Sequence, residues 1–160
     1  MKPRSAKARP ELNKSLVGFF VAGTRYAVSV NVVRQVINPM VVTPIPQAPA
    51  YVLGLAEFRG EVIPVVDFRL LLGAPAELTR RTKWIVLDMA GRAVAIVVDA
   101  VTGVFGSTTD VRAAPLSGGG DAVRCIVGVA SHDGSMVYVV DVARLGLPLA
   151  PLLERASLPA

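Results

Sequence analysis

The sequence predicts an all-β fold with a few short helices, made of two similar units of about 70 residues each. Two observations support this prediction: an internal repeat, and a composition that is 52% hydrophobic, rich in Val, with 14 Gly and 12 Pro. Valine favours strands, whereas Gly and Pro favour the tight turns that join them. Units this small and this rich in strands are typical of β-barrels or β-sandwiches.

The repeat is clearest between residues 52–68 and residues 126–142. The two stretches, VLGLAEFRGEVIPVVDF and IVGVASHDGSMVYVVDV, align without a gap, with matching glycines and a shared Val-Val-Asp. Two earlier segments also match: GTRYAVSVNVV, which begins at Gly23, and GRAVAIVVDAV, which begins at Gly91. Each of these follows an apolar strand, so each half is predicted to open with a hairpin across a Gly turn.

Short helices are predicted after three strands, where Asn31 precedes VVRQVI, Asp67 precedes FRLLLG and Asp141 precedes VARLGL. A side chain at this position accepts hydrogen bonds from the free N–H groups of the first helical turn. We therefore interpret all three residues as structural N-caps and not as catalytic groups. Gly73 and Gly146 are the corresponding C-terminal glycines.

The domain organisation follows from composition and from the repeat. We predict a disordered basic tail over residues 1–14, a folded domain over residues 15–150 and a C-terminal tail over residues 151–160. The first unit covers about residues 15–80 and the second about residues 81–150, with an exchange of strands between them left open.

Two proline-containing stretches predict local structure. TPIPQAP, residues 43–49, is typical of a surface connector. Pro64 lies inside the predicted strand EVIPVVD and has no N–H to donate to a neighbouring strand. We therefore expect this strand to lie at a sheet edge or to carry a bulge.

The net charge of +5 comes largely from the first 14 residues, which hold five of the 17 Lys and Arg but only one of the 12 Asp and Glu. The rest of the chain is almost neutral and lacks the basic stripe with interleaved aromatic residues that nucleic-acid-binding domains carry. We therefore predict no nucleic-acid partner. A small nucleic-acid-binding barrel is the alternative from another functional class, and it predicts a steep salt dependence that is lost on deleting the tail.

The sequence predicts a cytoplasmic protein with no direct membrane insertion. Every apolar run is interrupted well before the roughly 20 residues that a transmembrane helix needs. The N-terminal stretch MKPRSAKARPELNK lacks the apolar core of a signal peptide. The only cysteine, Cys125, lies in an apolar run and is predicted to be a small buried hydrophobe.

The residues that could carry chemistry do not predict an enzyme. The only histidine, His132, lies between Ser131 and Asp133, and three neighbours on one turn cannot converge as a catalytic triad. One Cys and one His are too few for a zinc site. No glycine-rich phosphate-binding motif joins a strand to a helix. We predict no catalytic residue, no metal and no cofactor.

One copy of the repeat has a charged tip where the other has Ser131-His132-Asp133. In an extended strand, Glu57 and Arg59 point to one face and Phe58 to the other. We predict an exposed ion pair, which contributes little to stability and leaves the Arg59 guanidinium available to a partner's carboxylates. A purely structural ion pair at the strand end is the alternative.

Four stretches resemble CheW-like domains, the coupling proteins of bacterial chemotaxis arrays: FFVAGTRYAVSVNVVRQVI, TPIPQAPAYVLGLAEFRGEVIPVVDFRLLLG, AVAIVVDAVTGV and IVGVASHDGSMVYVVDVARL. The second is the most specific, because the family's typical pattern there is Pro-x-x-Pro, apolar-x-Gly-apolar, Asn-Leu-Arg-Gly and Pro-apolar-apolar-Asp-Leu. The resemblance implies two SH3-like five-stranded β-barrels packed together. It also implies a non-catalytic adaptor that couples the cytoplasmic tip of a chemoreceptor to the CheW-like regulatory domain of a CheA-type histidine kinase, recruited to receptor arrays at the inner membrane.

The resemblance further implies a receptor-facing groove, formed by a helix after the second strand and by the Arg-Gly hairpin. The family usually has Glu at the position of Gln35 and Asn at the position of Glu57. We expect Glu57 to replace the usual acidic partner of Arg59. A divergent paralogue that binds a receptor but no kinase, in a motility or surface-sensing pathway, is the alternative function. The groove residues implied are Val33, Gln35, Val36, Glu57, Arg59 and Gly60.

Overall fold

The computed structural model describes residues 15–106 and 124–145. The predicted tails and the predicted C-cap Gly146 lie outside these residues. The described strands are β1 (Leu16–Val21), β2 (Thr24–Ser29), β3 (Val33–Ile37), β4 (Val52–Phe58), β5 (Glu61–Asp67), β6 (Lys83–Met89), β7 (Arg92–Val98), β8 (Ala100–Phe105), β9 (Ile126–His132) and β10 (Ser135–Val140). The helical segments are one short α-helix, α1 (Phe68–Leu71), and single 3₁₀ turns at Val30–Val32 and Val142–Leu145.

The strands form two five-stranded sheets, so the predicted all-β fold class is confirmed. Sheet A has the order β8-β1-β2-β10-β9, and sheet B has the order β3-β6-β7-β5-β4. Neighbouring strands are antiparallel except for β2 with β10 and β5 with β7, which are parallel. None of the helices in the described ranges is long and apolar enough to cross a membrane.

The two halves of the chain have exchanged their first hairpins. Sheet A combines β1 and β2 from the first half with β8, β9 and β10 from the second, whereas sheet B combines β6 and β7 with β3, β4 and β5. A division at about residue 80 therefore does not separate the two sheets. The exchange of strands that the sequence left open is therefore present, since each sheet draws strands from both halves.

The duplication extends to the hydrogen-bond register. Val65 lies opposite Ala95 in sheet B, and its repeat equivalent Val139 lies opposite Ala27 in sheet A. The β3–β6 and β1–β8 pairs shift register at equivalent positions, and so do the β4–β5 and β9–β10 pairs. Since a one-residue slip would turn every side chain to the other face, a shared register places equivalent residues at equivalent sites. Equivalent positions in the two halves therefore point in the same direction and differ only in the side chain that they carry.

Four hairpins reverse through two residues that both have positive φ, the geometry of type I′ turns. The predicted hairpins across Gly23 and Gly91 are two of them. Glycine at the second position adopts this backbone without steric cost. The turn residues are Ala22-Gly23, Arg59-Gly60, Ala90-Gly91 and Asp133-Gly134.

Each sheet curls until its two outer strands meet at one end. In sheet B, Nη2 of Arg59 on the β4–β5 turn donates to Oε1 of Gln35 on β3. In sheet A, the rings of Phe105 on β8 and His132 on β9 stack with centroids 4.0 Å apart. These contacts join strands from opposite ends of each strand order, which is consistent with two SH3-like barrels.

The largest core cluster lies between the two barrels. The Phe68 ring at the start of α1 meets Phe19 and Tyr26 of sheet A edge-on, with centroids 5.6 and 5.7 Å away. Ile85 and Ile96 of sheet B belong to the same cluster. Burying each large apolar side chain stabilises the fold by about 1.5–3 kcal/mol, so the packing of one barrel on the other is a major part of the stability.

The helix predicted after Asn31 is wrong. Residues Val33–Ile37 form strand β3, and only a 3₁₀ turn at Val30–Val32 precedes it. Ser29 and not Asn31 caps this turn, because the Ser29 hydroxyl accepts a hydrogen bond from the Asn31 N–H at 3.2 Å. The β-branched residues of VVRQVI favour a strand, and β6 provides the pairing partner.

The other two strand ends behave differently. Oδ1 of Asp67 accepts from the Arg69 N–H at 3.0 Å at the start of α1, and Oδ1 of Asp141 accepts from the Ala143 N–H at 3.1 Å. Gly73 follows α1 with φ of 75°, the left-handed conformation that ends many helices.

Of the two expectations for the strand containing Pro64, the edge position is wrong, since β5 lies between β4 and β7. The β4–β5 pair does shift register close to Pro64, but on the β4 side, between Val52 and Gly54. Pro64 faces Leu55 of β4, and the parallel pairing with β7 begins one residue later, at Val65. Its missing N–H therefore falls just outside that pairing, which explains how a proline is accommodated in an interior strand.

A buried ion pair connects β5 to α1. Nε and Nη2 of Arg69 each lie 3.0 Å from a carboxylate oxygen of Asp67, in a bidentate arrangement, and the two side chains are only 5% and 2% exposed. Nη1 of Arg69 also donates to the Glu77 carbonyl at 2.7 Å and to Oδ1 of Asp99 at 3.2 Å. The hydrogen bond to Asp67 raises the pKa of Arg69 above its ordinary value.

The same network reaches the other sheet through Asp99. This residue lies between β7 of sheet B and β8 of sheet A, and its Oδ2 accepts from the Ala22 N–H at 2.8 Å, in the β1–β2 turn. The ion pair thus links both sheets through one continuous set of hydrogen bonds. Among the described residues, no buried side-chain nitrogen or oxygen lacks a partner.

We predict that Arg69→Met lowers the free energy of unfolding by about 3–5 kcal/mol, because it leaves the Asp67 carboxylate buried without its cation. Urea unfolding followed by circular dichroism measures this change. Arg34→Met is the matched control: its ion pairs with Glu61 and Asp88 are partly exposed, so a loss below about 1 kcal/mol is expected. Equal losses in the two variants would contradict this account of the ion pair.

We also predict that the Cys125 thiol is unreactive in the folded protein, because burial raises its pKa to about 12. Its side chain is fully buried, as the sequence predicted. The reactive thiolate is then about a thousandfold scarcer than in an unfolded chain at the same pH. Iodoacetamide labelling at pH 8, followed by mass spectrometry, should be far slower in native protein than in protein unfolded by urea. Similar rates in the two states would contradict the prediction.

Candidate functional site

The residues implied by the family resemblance meet at one end of sheet B, where β3 approaches the β4–β5 hairpin. Val33, Gln35 and Val36 lie on β3 and not on the helix that was expected there. We call the group of side chains at this end the hairpin surface. It comprises Arg34, Gln35, Val36, Glu57, Arg59, Glu61 and Val62.

Arg59 is held in a defined position on the turn. Its φ of 50° takes the chain out of the extended conformation, so its side chain no longer follows the strand alternation. The guanidinium carbon lies 5.3 Å from the ring centroid of Phe58, and Nη2 donates to Oε1 of Gln35. Arg59 therefore has a cation–π contact and a neutral acceptor, and it keeps its full positive charge.

Glu57 does not pair with Arg59, so the expected replacement of the acidic partner is wrong. Its side chain is exposed on the face of β4 opposite Phe58, whereas the Arg59 side chain lies against the Phe58 ring. Within residues 15–106 and 124–145, Glu57 forms no hydrogen bond and no ion pair.

The remaining charges of the hairpin surface are paired with each other. Arg34 lies 3.4 Å from Glu61 and 3.3 Å from Asp88, and it also donates to the Gly91 carbonyl at 3.3 Å. These partly exposed pairs add little to stability, but they orient the β3 edge against the hairpin.

The two valines implied on β3 differ in accessibility. Val33 packs against the main core between the barrels, whereas Val36 is 37% exposed. Gly60 is exposed, has φ of 79° and completes the turn that carries Arg59. Val36 is therefore the more accessible of the two β3 valines.

The structure adds a groove that the sequence did not predict. It has a volume of about 550 Å³ and lies between the proline-rich stretch, expected only as a connector, and the outer face of β4 and β5. The sequence features that correspond to this groove are two prolines, Pro44 and Pro46, and a glycine within the predicted strand, Gly54. The lining residues are Val41, Thr43, Pro44, Ile45, Pro46, Leu55, Ala56, Glu57 and Val62.

Gly54 allows the proline-rich stretch to approach β4 closely. A Cβ atom at this position would lie 2.0 Å from the Thr43 carbonyl oxygen, and the φ of 144° is one that L-residues rarely adopt. Just beyond it, Thr43 and Leu55 exchange N–H···O hydrogen bonds of 2.8 and 2.9 Å. Glycine at this position therefore determines the shape of the groove.

Sheet A presents a less charged counterpart of the hairpin surface, in which Asp133 is the one ionisable residue at an equivalent position. Val104 and Met136 occupy the repeat positions of Val36 and Val62, and they are 65% and 70% exposed. Ser131 stands at the position of Glu57, so no carboxylate is present at that point. We call Val104, Ser131 and Met136 the Met136 surface.

No metal-binding arrangement is found in the part of the chain that the structure describes. Within it, no group of three or more His, Cys, Asp or Glu side chains could hold an ion. The His132 ring stacks on Phe105, and its Nε2 lies 3.3 Å from Oδ2 of Asp133. Both contacts are structural ones at the β9–β10 hairpin.

We predict that Gly54→Ala destabilises the protein by about 2–4 kcal/mol, because the new methyl group forces the Thr43 carbonyl away from β4. Gly60→Ala is the matched control, since it also has positive φ but has open space around a Cβ, and about 1 kcal/mol is expected. Urea unfolding gives both values. Hydrogen exchange at the Thr43 and Leu55 amides should accelerate only in Gly54→Ala; unchanged exchange there would contradict the proposed close contact.

The comparisons with known proteins agree with this architecture. The family model described as "CheW-like domain" matches residues 15–146. The chemotaxis protein CheW of Rhizobium meliloti is 34% identical over 139 residues, which cover 86% of this chain and 90% of that protein. Protein FrzA of Myxococcus xanthus is 32% identical over 133 residues, which cover 82% and 81% of the respective chains.

A solved structure shows the same fold. The scaffolding protein TtCheW from Thermoanaerobacter tengcongensis superimposes with a TM-score of 0.77, covering 85% of this chain and 94% of that chain. The sequence identity of the pair is 24%, so this match bears on the arrangement of the two sheets and not on individual site residues.

Proposed function

Because the chain belongs to the CheW-like family, we propose that it couples the cytoplasmic tip of a chemoreceptor to the CheW-like regulatory domain of a CheA-type histidine kinase. A non-catalytic adaptor role in chemotaxis follows from the family itself. The two partners, and the recruitment of the protein to receptor arrays at the inner membrane, are the proposal.

The observation that supports this proposal is the difference between two equivalent surfaces. Both barrels have the same register, yet the hairpin surface holds Arg34, Glu57, Arg59 and Glu61, whereas the equivalent positions on sheet A hold Thr102, Ser131, Asp133 and Ser135. An adaptor that joins two different proteins needs two surfaces that do not compete for one partner. Duplication supplies two copies of one surface, and the side chains then make them distinct.

We assign the receptor to the hairpin surface, which contains the positions implied by the family resemblance. We assign the kinase domain to the Met136 surface, where Val104 and Met136 are 65% and 70% exposed and the equivalents of Arg34, Arg59 and Glu61 carry no matching charge. Such small contacts bind weakly one at a time, but many repeats in an array supply avidity.

We predict that the purified protein binds both a receptor-tip fragment and the kinase regulatory domain in calorimetric titrations. Arg59→Ala should weaken receptor binding about tenfold, because the turn loses its fixed cation, and leave kinase binding unchanged. Met136→Glu should have the reverse effect, since it places a charge in the apolar contact. Each variant serves as the folding control for the other.

Other results would change the assignment. Receptor binding without kinase binding would identify the divergent paralogue, a reading favoured by the unusual Gln35 and Glu57. Binding to neither partner would contradict the coupling role altogether. Loss of both interactions in a single folded variant would show that the two surfaces are not independent.

A further inference from the structure

We infer that the groove beside Glu57 accepts an amphipathic helix of the partner, and that this helix places a Lys or Arg against the Glu57 carboxylate. The inference rests on the proposed receptor role of the hairpin surface. It adds the chemistry that the bound segment must carry: an apolar stripe for the groove and one cation at its rim.

Most of the charged side chains on the hairpin surface already have a partner within the protein. Arg34 is matched by Glu61 and Asp88, whereas Arg59 donates to the neutral Gln35 and has no carboxylate partner among the described residues. Glu57 is the one carboxylate of the hairpin surface without a partner among the described residues. A partner without a nearby cation would have to cover this carboxylate at a desolvation cost, so the groove favours a segment that places a cation at this point.

The apolar argument comes from the neighbours of Glu57. Val62 lies directly opposite it in the β4–β5 register and is 50% exposed, and Val41 across the groove is 88% exposed. The carboxylate and the apolar wall therefore face the same side. Exposed apolar surface beside a single charge complements a helix with a hydrophobic stripe and one flanking cation.

The alternative of an added strand is disfavoured by the edge of sheet B. Although β4 is an outer strand, its Leu55 N–H and C=O groups are already bonded to Thr43. Between this bridge and the turn at Arg59, only three residues of β4 remain, at the lower limit of the strand lengths found in proteins, so little of the edge is left to pair with an added strand. A partner must therefore bind through side chains in the groove, as a helix does.

The charge also distinguishes this barrel from its duplicate. The repeat position of Glu57 on sheet A is Ser131, and the family resemblance implies Asn where this chain has Glu57. The requirement for a cation is therefore a property of this chain's groove and not of the shared fold.

Titrations of a chemoreceptor-tip fragment from the same organism, at 50 and 300 mM NaCl, test the inference. We expect Glu57→Gln to weaken binding about fivefold at low salt, and much less at high salt, where an exposed ion pair is screened. Glu57→Lys should weaken it further, and replacing the facing Lys or Arg of the fragment by Glu should restore binding to that variant. Glu77→Gln, the same change of charge at an exposed position outside the groove, is the control and should have no effect.

The outcomes separate the two proposals. If the wild-type protein binds the fragment and Glu57→Gln behaves like Glu77→Gln at both salt concentrations, the inference is wrong while the receptor role stands. If Glu57→Gln weakens binding of the kinase domain instead, the groove belongs to the kinase and the inference is again wrong. If the wild-type protein does not bind the fragment at either salt concentration, the receptor role itself is wrong.

Discussion

The buried ion pair between Arg69 and Asp67 is the interaction on which the arrangement of the two barrels depends. Replacing two buried charges by apolar groups often costs little, so such a pair is retained for the geometry it imposes more than for net stability. Here Arg69 has three further constraints: the Glu77 carbonyl, Asp99 and, through Asp99, the Ala22 turn of the other sheet. The second half has Ala143 at the repeat position of Arg69, so this joint exists once and breaks the symmetry of the duplication.

The exchange of first hairpins connects the two barrels twice. The chain passes from sheet A to sheet B at Val30–Val32 and returns to sheet A at Asp99, so sheet A contains strands from both ends of the described chain. The Phe19, Tyr26 and Phe68 cluster fills the space between the two barrels. The hairpin surface and the Met136 surface therefore lie on two barrels that share one core.

The sequence predicted the fold class, the repeat and the Gly turns, because these depend on local patterning that a duplication shows twice. It did not predict β3, since the pattern of VVRQVI is compatible with a helix or a strand, and the pairing with β6 decides between them. Nor did it predict the groove, which depends on the contact of Thr43 with Gly54, a packing event between segments that are separate in the sequence. The predicted Glu57–Arg59 ion pair does not form, because the left-handed turn at Arg59 ends the strand alternation on which the prediction relied.

The two departures from the family pattern are best understood together. A Glu at position 35 would neutralise Arg59, whereas Gln35 holds the guanidinium with a hydrogen bond and leaves its charge in place. The acidic group stands instead at Glu57, on the rim of the groove and without a partner among the described residues. The net charge of the surface is the same in both arrangements, but here the two charges are separated. On the proposed receptor surface a partner has to complement a cation at the turn and an anion at the groove, so we expect the two departures to change specificity without changing the fold.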